Sequence, residues 1–245
     1  MHGGTARTTT PGQFRKRGRE ISRIEAFSDV VFGFALTLLV VSLEVPRTFA
    51  GLIEDMRGFL PFAVCFAVLA YVWWAHHQFF RRYGLDDVVT AVLNFVLLFV
   101  VLFYVYPLKF MFTGIFNEWS GRGEVRAANG ALEHWVEVQQ VPTLFVIYGI
   151  GYATVFFIFV LLYWHALGKR TELELDAFEV FDTKTSMIEN AFMCAVSLAV
   201  AATAKLLPTQ LSGLAGYVFF LIPVGMWIIG SRRGAQRRKL PLPSV

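Results

Sequence analysis

Charged residues are scarce in this sequence. Asp, Glu, Lys and Arg make up only 16% of the 245 residues, against roughly 25% in ordinary soluble domains. Hydrophobic residues account for 56% of the chain, and the mean hydropathy is +0.56. A soluble domain of this length needs much more polar surface to cover its core. The composition therefore excludes a single soluble globular domain and indicates a membrane protein.

Cysteine and recognisable catalytic groupings are also scarce. The only cysteines, Cys65 and Cys194, lie in apolar stretches and form no CxxC pair, so we interpret them as small buried side chains. His76 and His77 are adjacent, and adjacent helical residues diverge by about 100°, so they cannot chelate one ion from the same helix. No serine, lysine or cysteine nucleophile stands beside a plausible base. We expect no enzymatic activity, no metal site and no cofactor.

Long apolar blocks are abundant. A bilayer core requires about 20 apolar residues in a helix, and six blocks meet this requirement: 26–46, 58–80, 88–113, 141–167, 186–207 and 209–230. The sequence predicts an all-α polytopic membrane protein with six transmembrane helices. We divide the chain into a basic, disordered N-terminal arm (1–20), a six-helix domain (21–231) and a basic cytoplasmic tail (232–245).

The basic residues predict the orientation in the membrane. Sixteen of the 22 lysines and arginines fall on one side of the predicted spans, and six fall on the other. Because short cytoplasmic loops collect positive charge, both termini are expected to be cytoplasmic. Loop 116–140 is then outside, with a short helix predicted near 132–138, and loop 168–184 suggests an interfacial helix. The same bias explains the basic pI without a nucleic-acid partner, so membrane lipid is the expected surrounding.

The start of the first helix carries the most informative polar residues. Asp29 is costly within a bilayer and must find a polar partner. Arg23 is six residues away, about 240° around the helix, and Glu25 is four residues away and repels it. We therefore predict that Asp29 bonds to a polar cluster from the second and third helices. Its candidate members are His76, His77 and Asn94.

One face of the first helix is an apolar stripe with a single hydroxyl. Val30, Phe34, Thr37 and Val41 lie at offsets 0, 4, 7 and 11 and so share a face. A hydroxyl in such a stripe usually bonds to the carbonyl four residues earlier in its own helix.

These features together resemble a known family. The pattern R-x-x-x-F-S-D at 23–29, Thr37 eight residues later, the His76-His77 pair and Asn94 resemble the transmembrane protein 175 potassium channels, in particular the bacterial members. Pro107 near the outer end of the third helix belongs to the same pattern, and the resemblance covers roughly residues 20–230. It implies a homotetramer in the bacterial plasma membrane, with potassium as the permeant ion.

The resemblance also implies roles for particular residues. The first helix of each copy would line a central pore, with Phe34 as the hydrophobic constriction and Thr37 one turn further along. The pore-lining stripe would be Val30, Phe34, Thr37 and Val41, and the structural and gating hub would be Arg23, Phe27, Ser28 and Asp29. His76, His77 and Asn94 would support this hub. Family members usually have a small residue where this chain has Val30 and an aliphatic one where it has Phe34.

The resemblance also implies selectivity without the TVGYG carbonyl filter of ordinary potassium channels. The chain contains no TVGYG filter, and we interpret the superficially similar segment 149–152 as a packing site within a helix.

One alternative is a proton-leak or ion-coupled transporter that uses Asp29 and the two histidines. Transporters usually show inverted repeats and broken helices, and neither is visible. A non-conducting structural membrane protein is the other alternative.

Overall fold

The computed structural model describes residues 14–18, 20–41, 47–49, 52–53, 56, 58–121, 123–126 and 132–238. In this part of the chain, six α-helices account for most residues: α1 Arg23–Val41, α2 Phe59–Tyr83, α3 Val88–Trp119, α4 Val141–Gly168, α5 Ala177–Leu206 and α6 Leu221–Arg237. Two 3-10 helices, Val138–Gln140 and Thr209–Phe220, precede α4 and α6. Two short strands, β1 (Glu124–Arg126) and β2 (Leu132–His134), form an antiparallel ribbon.

The helices confirm the predicted six-helix membrane architecture. Among the described residues, five spans are long and apolar enough to cross a bilayer: Phe59–Tyr83, Val88–Trp119, Val138–Gly168, Ala177–Leu206 and Thr209–Arg237. The described part of α1 has 19 residues and carries Glu25 and Asp29 in its first two turns. The end of the predicted first block, 42–46, lies outside the described residues.

Two predicted loop helices are wrong. Residues 132–134 form a strand that pairs with β1 and not the start of a helix, while α3 continues to Trp119. The predicted interfacial helix in loop 168–184 is instead the first part of α5. Asp176 caps α5 by accepting a hydrogen bond from the Glu179 backbone at 2.8 Å, and the Glu179 side chain accepts one from the Asp176 backbone at 3.2 Å. This reciprocal capping box fixes the start of α5 well before residue 186.

The predicted disordered arm is wrong for residues 14–18, whereas residues 1–13 and 19 lie outside the described residues. The backbone N–H groups of Arg17 and Gly18 donate to the carbonyl oxygens of Arg82 and Arg81, at 3.4 and 3.3 Å. The ring of Phe14 packs edge-on against that of Tyr83, with centroids 5.4 Å apart. The side chains of Arg15 and Arg17 find carboxylate and carbonyl partners, which composition alone does not reveal.

The predicted C-terminal tail, 232–245, begins within a helix of the structure. Helix α6 extends to Arg237, whose guanidinium contacts Asp182 on α5 with Nε to Oδ1 at 2.8 Å. Arg233 lies over the ring of Phe181 at 5.0 Å from its centroid. The beginning of the tail is therefore a helical extension bound to α5, and residues 239–245 lie outside the described residues.

The helices pack as two connected groups. In the first half (α1–α3), α1 packs against α2 and α3; in the second half (α4–α6), α4 and α5 make the most extensive contact. Gly149 permits this contact, because a Cβ there would lie 2.7 Å from the Ser197 carbonyl oxygen and 2.8 Å from Cβ of Ala201. Segment 149–152 is thus a packing site, as predicted. The contact between α3 and α4 joins the halves around buried side chains that include Phe79, Leu97 and Phe159.

Candidate functional site

Helix α1 has one buried face and one exposed face. Its buried residues recur every three or four positions: Glu25, Ser28, Phe32, Ala35 and Leu39. On the other side Val30 is 70% exposed and Phe34 56% exposed, and Thr37 is exposed as well. Val41 lies in the helix, but its side chain is outside the described part of the structure. The chain therefore leaves most of the predicted pore-lining stripe uncovered by its own atoms.

A buried polar cluster joins α1 to α2 and α3. Nδ2 of Asn94 donates to Oγ of Ser28 at 2.9 Å, and Oδ1 of Asn94 lies 2.8 Å from Nε2 of His76. Ser28 in turn donates to the Ile24 carbonyl oxygen at 2.8 Å. Because an amide oxygen only accepts, His76 donates from Nε2. Its Nδ1 is buried and has no hydrogen-bond partner among the described residues.

Asp29 does not join this cluster. Its Oδ1 accepts a hydrogen bond from Nε1 of Trp73 on α2 at 2.8 Å. The predicted bonds from Asp29 to His76, His77 and Asn94 are therefore wrong. The reason is rotational: Ser28 and Asp29 diverge by about 100° around α1. With Ser28 turned toward Asn94, Asp29 turns toward Trp73.

Glu25 is a buried site residue that sequence reasoning missed. Its carboxylate is almost fully buried, and Oε1 lies 3.4 Å from Nδ1 of His77. His77 is separate from the His76–Asn94 pair, and its ring stacks on Trp73 with centroids 5.6 Å apart. The spacing from Glu25 to Ser28 and Phe32 was the available signal, because it places the carboxylate on the buried face of α1.

The remaining hub residues lie at the surface of the single chain. Arg23 is exposed, and Phe27 is half-exposed with its ring edge against Phe95 at a centroid distance of 5.8 Å. The structure therefore brings Ser28, His76 and Asn94 together and places Asp29 and His77 beside them on Trp73. Arg23 and Phe27 do not take part in these contacts within the described residues.

The Thr37 hydroxyl is satisfied within its own helix. Oγ1 donates to the Gly33 carbonyl oxygen at 2.9 Å, as expected for a hydroxyl in an apolar stripe. Since the proton is committed to this bond, the hydroxyl presents lone pairs to whatever lies on the exposed face. Thr37 is therefore arranged as an acceptor. Over the described residues, no group of three or more His, Cys, Asp and Glu side chains is arranged to hold a metal ion.

A second polar site joins the two halves. Asp87 caps α3 through the backbone N–H groups of Val89 and Thr90, at 3.0 and 3.2 Å, and its carboxylate lies 3.0 Å from Nε2 of His165 on α4. Burial alone would raise the pKa of Asp87, but hydrogen bonds from His165 and Thr90 outweigh it and lower the pKa. Sequence reasoning missed this site, although an aspartate directly before an apolar block is a typical helix cap.

This geometry defines a polytopic helical membrane protein whose first helix has an uncovered apolar face next to a buried polar cluster. The sequence model of the endosomal/lysosomal potassium channel TMEM175 matches residues 23–116, from the start of α1 into the end of α3. A potassium channel of Marivirga tractuosa is 38% identical over 230 residues, which is 93% of each chain. The chain belongs to the TMEM175 family.

Solved structures agree with this assignment. A crystal structure of a variant of the potassium channel MtTMEM175, in complex with a Nanobody-MBP fusion protein, matches with a TM-score of 0.78 and 39% identity. The match covers 91% of this chain and 97% of that one. A homolog of the lysosomal potassium-selective channel TMEM175, from Chamaesiphon minutus, matches with a TM-score of 0.53 at 22% identity, a likeness of fold alone.

Proposed function

We propose that this protein is a potassium-selective channel in which four copies place α1 around a central pore. Its relatives are named potassium channels, and it shares nearly the whole length of one of them. The single observation that carries the proposal is the uncovered face of α1, where Val30, Phe34 and Thr37 lie exposed opposite the buried face of the helix. Such a face on a helix next to a polar cluster is suited to a pore shared between copies.

The chemistry of this face fits a filter without backbone carbonyls. The sequence has no TVGYG segment, and segment 149–152 is packed within α4. Four Phe34 rings around one axis form an apolar constriction, which can gate by losing its water. One turn further along, four Thr37 hydroxyls offer oxygen lone pairs, since each proton is held by the Gly33 carbonyl. A potassium ion loses hydration at Phe34 and regains partial coordination at Thr37.

Ser28 and Asp29 set the rotation of α1 in this arrangement. Ser28 bonds to Asn94 on α3, and Asp29 bonds to Trp73 on α2, so α1 is held from two directions. Rotating α1 would break both bonds and turn Phe34 away from the axis. Arg23 and Phe27, which are exposed on the single chain, are available to neighbouring copies. This assigns the hub its role in holding the pore helix.

The proposed orientation places both termini in the cytoplasm. Basic side chains gather at the end of the bundle that carries Arg15, Arg82 and Arg237, in accordance with the positive-inside rule. Loop 116–140 then lies outside. The bacterial plasma membrane is the proposed location, with lipid around the outer helices.

The proton-leak alternative loses its main support. It requires Asp29 and the histidines to act as one relay, but each has a different partner: Trp73 for Asp29, Asn94 for His76 and Glu25 for His77. Potassium flux in liposomes, measured with and without a proton gradient, separates the two functions. A channel carries potassium down its own gradient, whereas a coupled transporter needs the proton gradient.

The pore assignment is tested by one pair of variants in liposomes. Phe34→Ala should raise potassium flux and lower the preference for potassium over sodium, because it widens the constriction. Phe157→Ala is the matched control, since this phenylalanine on α4 is 51% exposed, close to the 56% of Phe34. Flux that is unchanged or lower in an intact Phe34→Ala assembly would place the pore elsewhere.

A further inference from the structure

Glu179 is a buried carboxylate that two arginines from the N-terminal segment surround. It lies in the first turn of α5, and its side chain is 1% exposed. Nη2 of Arg15 lies 3.0 Å from Oε2, and Nη2 of Arg17 lies 2.6 Å from the same oxygen. The backbone N–H of Arg15 also donates to Oε1 at 2.8 Å. A carboxylate this deeply buried depends on charge-assisted bonds of this kind.

The segment 14–18, which we call the N-terminal strap, is bound on two sides. On the α5 side, Nε of Arg17 donates to the Leu173 carbonyl oxygen at 2.7 Å. On the α2 side, the backbone of the strap bonds to Arg81 and Arg82. Gly18 allows the close approach, because a Cβ there would lie 2.6 Å from the Phe80 carbonyl oxygen. The strap therefore connects the second half of the molecule with the end of α2.

The strap also leads directly into the pore helix. Gly18 is five residues before Arg23, the first residue of α1. A chain extends by at most about 3.6 Å per residue, so these five steps span no more than about 18 Å. Helix α1 itself packs against α2 and α3, whereas Glu179 belongs to the second half. The strap thus provides a path by which α5 restrains the start of α1.

We propose that Glu179 is a positioning residue for the pore helix, acting through the N-terminal strap. This inference rests on the proposed channel function, since it assigns α5 control over the helix that lines the pore. With Glu179 charged, Arg15 and Arg17 hold the strap and keep the first turn of α1 in place. Without that charge, the two guanidinium groups lose their shared partner, the strap leaves α5, and the four pore helices separate at their basic ends.

Other bonds between α2 and α5 do not position α1 through the N-terminal strap. The hydroxyls of Tyr83 and Thr183 lie 2.7 Å apart, and Nη1 of Arg82 lies 3.3 Å from Oγ of Ser186. These contacts hold α2 against α5 but do not include the segment that enters α1. Releasing the strap should therefore alter the pore while the two halves remain joined.

The test uses Glu179→Gln in the full-length protein. Glutamine also serves at the third position of a capping box, so α5 keeps its cap while the charge is lost. Arg17→Gln breaks the same contact from the other side. Asp182→Asn is the matched control, because it removes the Arg237 ion pair from the neighbouring turn of α5 without touching the strap.

Two readouts are measured on the purified assembly. Trypsin cleavage after the exposed Lys16 reports release of the strap without reference to conduction. When strap opening is fast relative to cleavage, the cleavage rate follows the population of the released strap. Losing charge-assisted bonds should raise that population about tenfold. Potassium flux in liposomes reports the pore, and we expect it to increase at least about threefold in Glu179→Gln and Arg17→Gln. Asp182→Asn should match the wild type in both readouts.

Each other outcome overturns the inference in a distinct way. Unchanged cleavage at Lys16 in Glu179→Gln would show that the carboxylate does not hold the strap. Faster cleavage with unchanged or reduced flux would show that the strap does not position α1. Equal changes in Asp182→Asn would mean that any loss of charge on α5 has this effect. A wild-type protein and released variants that all carry no potassium would refute the proposed function, while the cleavage result would still decide the strap contact.

Discussion

Asp29 and its neighbour Ser28 bond to different helices. Asp29 accepts from Nε1 of Trp73 on α2 at 2.8 Å, and Ser28 accepts from Nδ2 of Asn94 on α3 at 2.9 Å. Two adjacent residues thereby fix both the position and the rotation of α1. With α1 in this rotation, the uncovered stripe with Phe34 and Thr37 faces away from α2 and α3.

Trp73→Phe should destabilise the protein by about 1–3 kcal/mol. The ring is kept but the indole N–H is lost, so Asp29 loses its donor, and an unsatisfied, partly buried acceptor costs about this much. Trp74→Phe is the control, since Trp74 is adjacent and half-exposed. Thermal unfolding in detergent measures both. Equal melting temperatures for the two variants would contradict the assigned bond.

Ser28→Ala should destabilise the folded protein more than Ser197→Ala, although both serines are buried. Within the described part of the chain, the Ser197 hydroxyl bonds to the Met193 carbonyl of its own helix, whereas Ser28 also accepts from Asn94. Removing Ser28 leaves an amide N–H of Asn94 without a partner in the core, at about 1–3 kcal/mol. Thermal unfolding compares the two variants. An equal loss of stability would mean that the inter-helix bond contributes nothing.

Thr37→Val should change ion selectivity without changing stability. Valine is nearly isosteric, so folding is retained while the proposed ring of acceptor oxygens disappears. Thr154→Val on α4 is the control, because its hydroxyl makes the same bond to the carbonyl four residues earlier, at 2.8 Å. The ratio of potassium to sodium flux in liposomes is the measurement. The role of Thr37 is refuted if the ratio stays at the wild-type value.

Asp87→Asn should lower stability near neutral pH, by about 1 kcal/mol for a partly exposed charge. The pKa of Asp87 is lowered in the folded protein by His165 and Thr90, against the effect of burial. A lowered folded pKa contributes stability above the unfolded pKa of about 3.9, which is lost as the pH falls toward the folded value. Asparagine still caps α3, so the variant isolates the charge.

Melting temperatures at neutral pH and below pH 4 measure this effect. The difference between the wild type and Asp87→Asn should be largest at neutral pH and should shrink in acid. A difference that is the same at both pH values would show that the charge of Asp87 is not involved.

Ser120→Cys and Ser244→Cys test the orientation in intact cells. With cytoplasmic termini, a membrane-impermeant thiol reagent should label position 120 and not position 244. Permeabilised cells, in which both positions should react, provide the control. Labelling of position 244 alone in intact cells would reverse the proposed topology.

The sequence by itself determined the helical architecture and which residues share the apolar stripe of α1. In a bilayer each backbone group must bond within its own helix, so an apolar block of sufficient length specifies a span without regard to its neighbours. The stripe of Val30, Phe34 and Thr37 follows from helical periodicity, which is equally local. The Thr37 bond to Gly33 is local as well and was predicted for the same reason.

Only the tertiary structure decided which polar groups meet. Asp29 pairs with Trp73 and not with the histidines, Glu25 is buried beside His77, and Glu179 holds the strap. Each of these contacts joins separate helices or a helix and a distant segment. Their choice depends on how far each helix is rotated and shifted against its neighbours, and many side chains packing together set that rotation and shift. Helical periodicity predicts which side of its own helix a residue occupies. It does not predict which residue of another helix that side contacts.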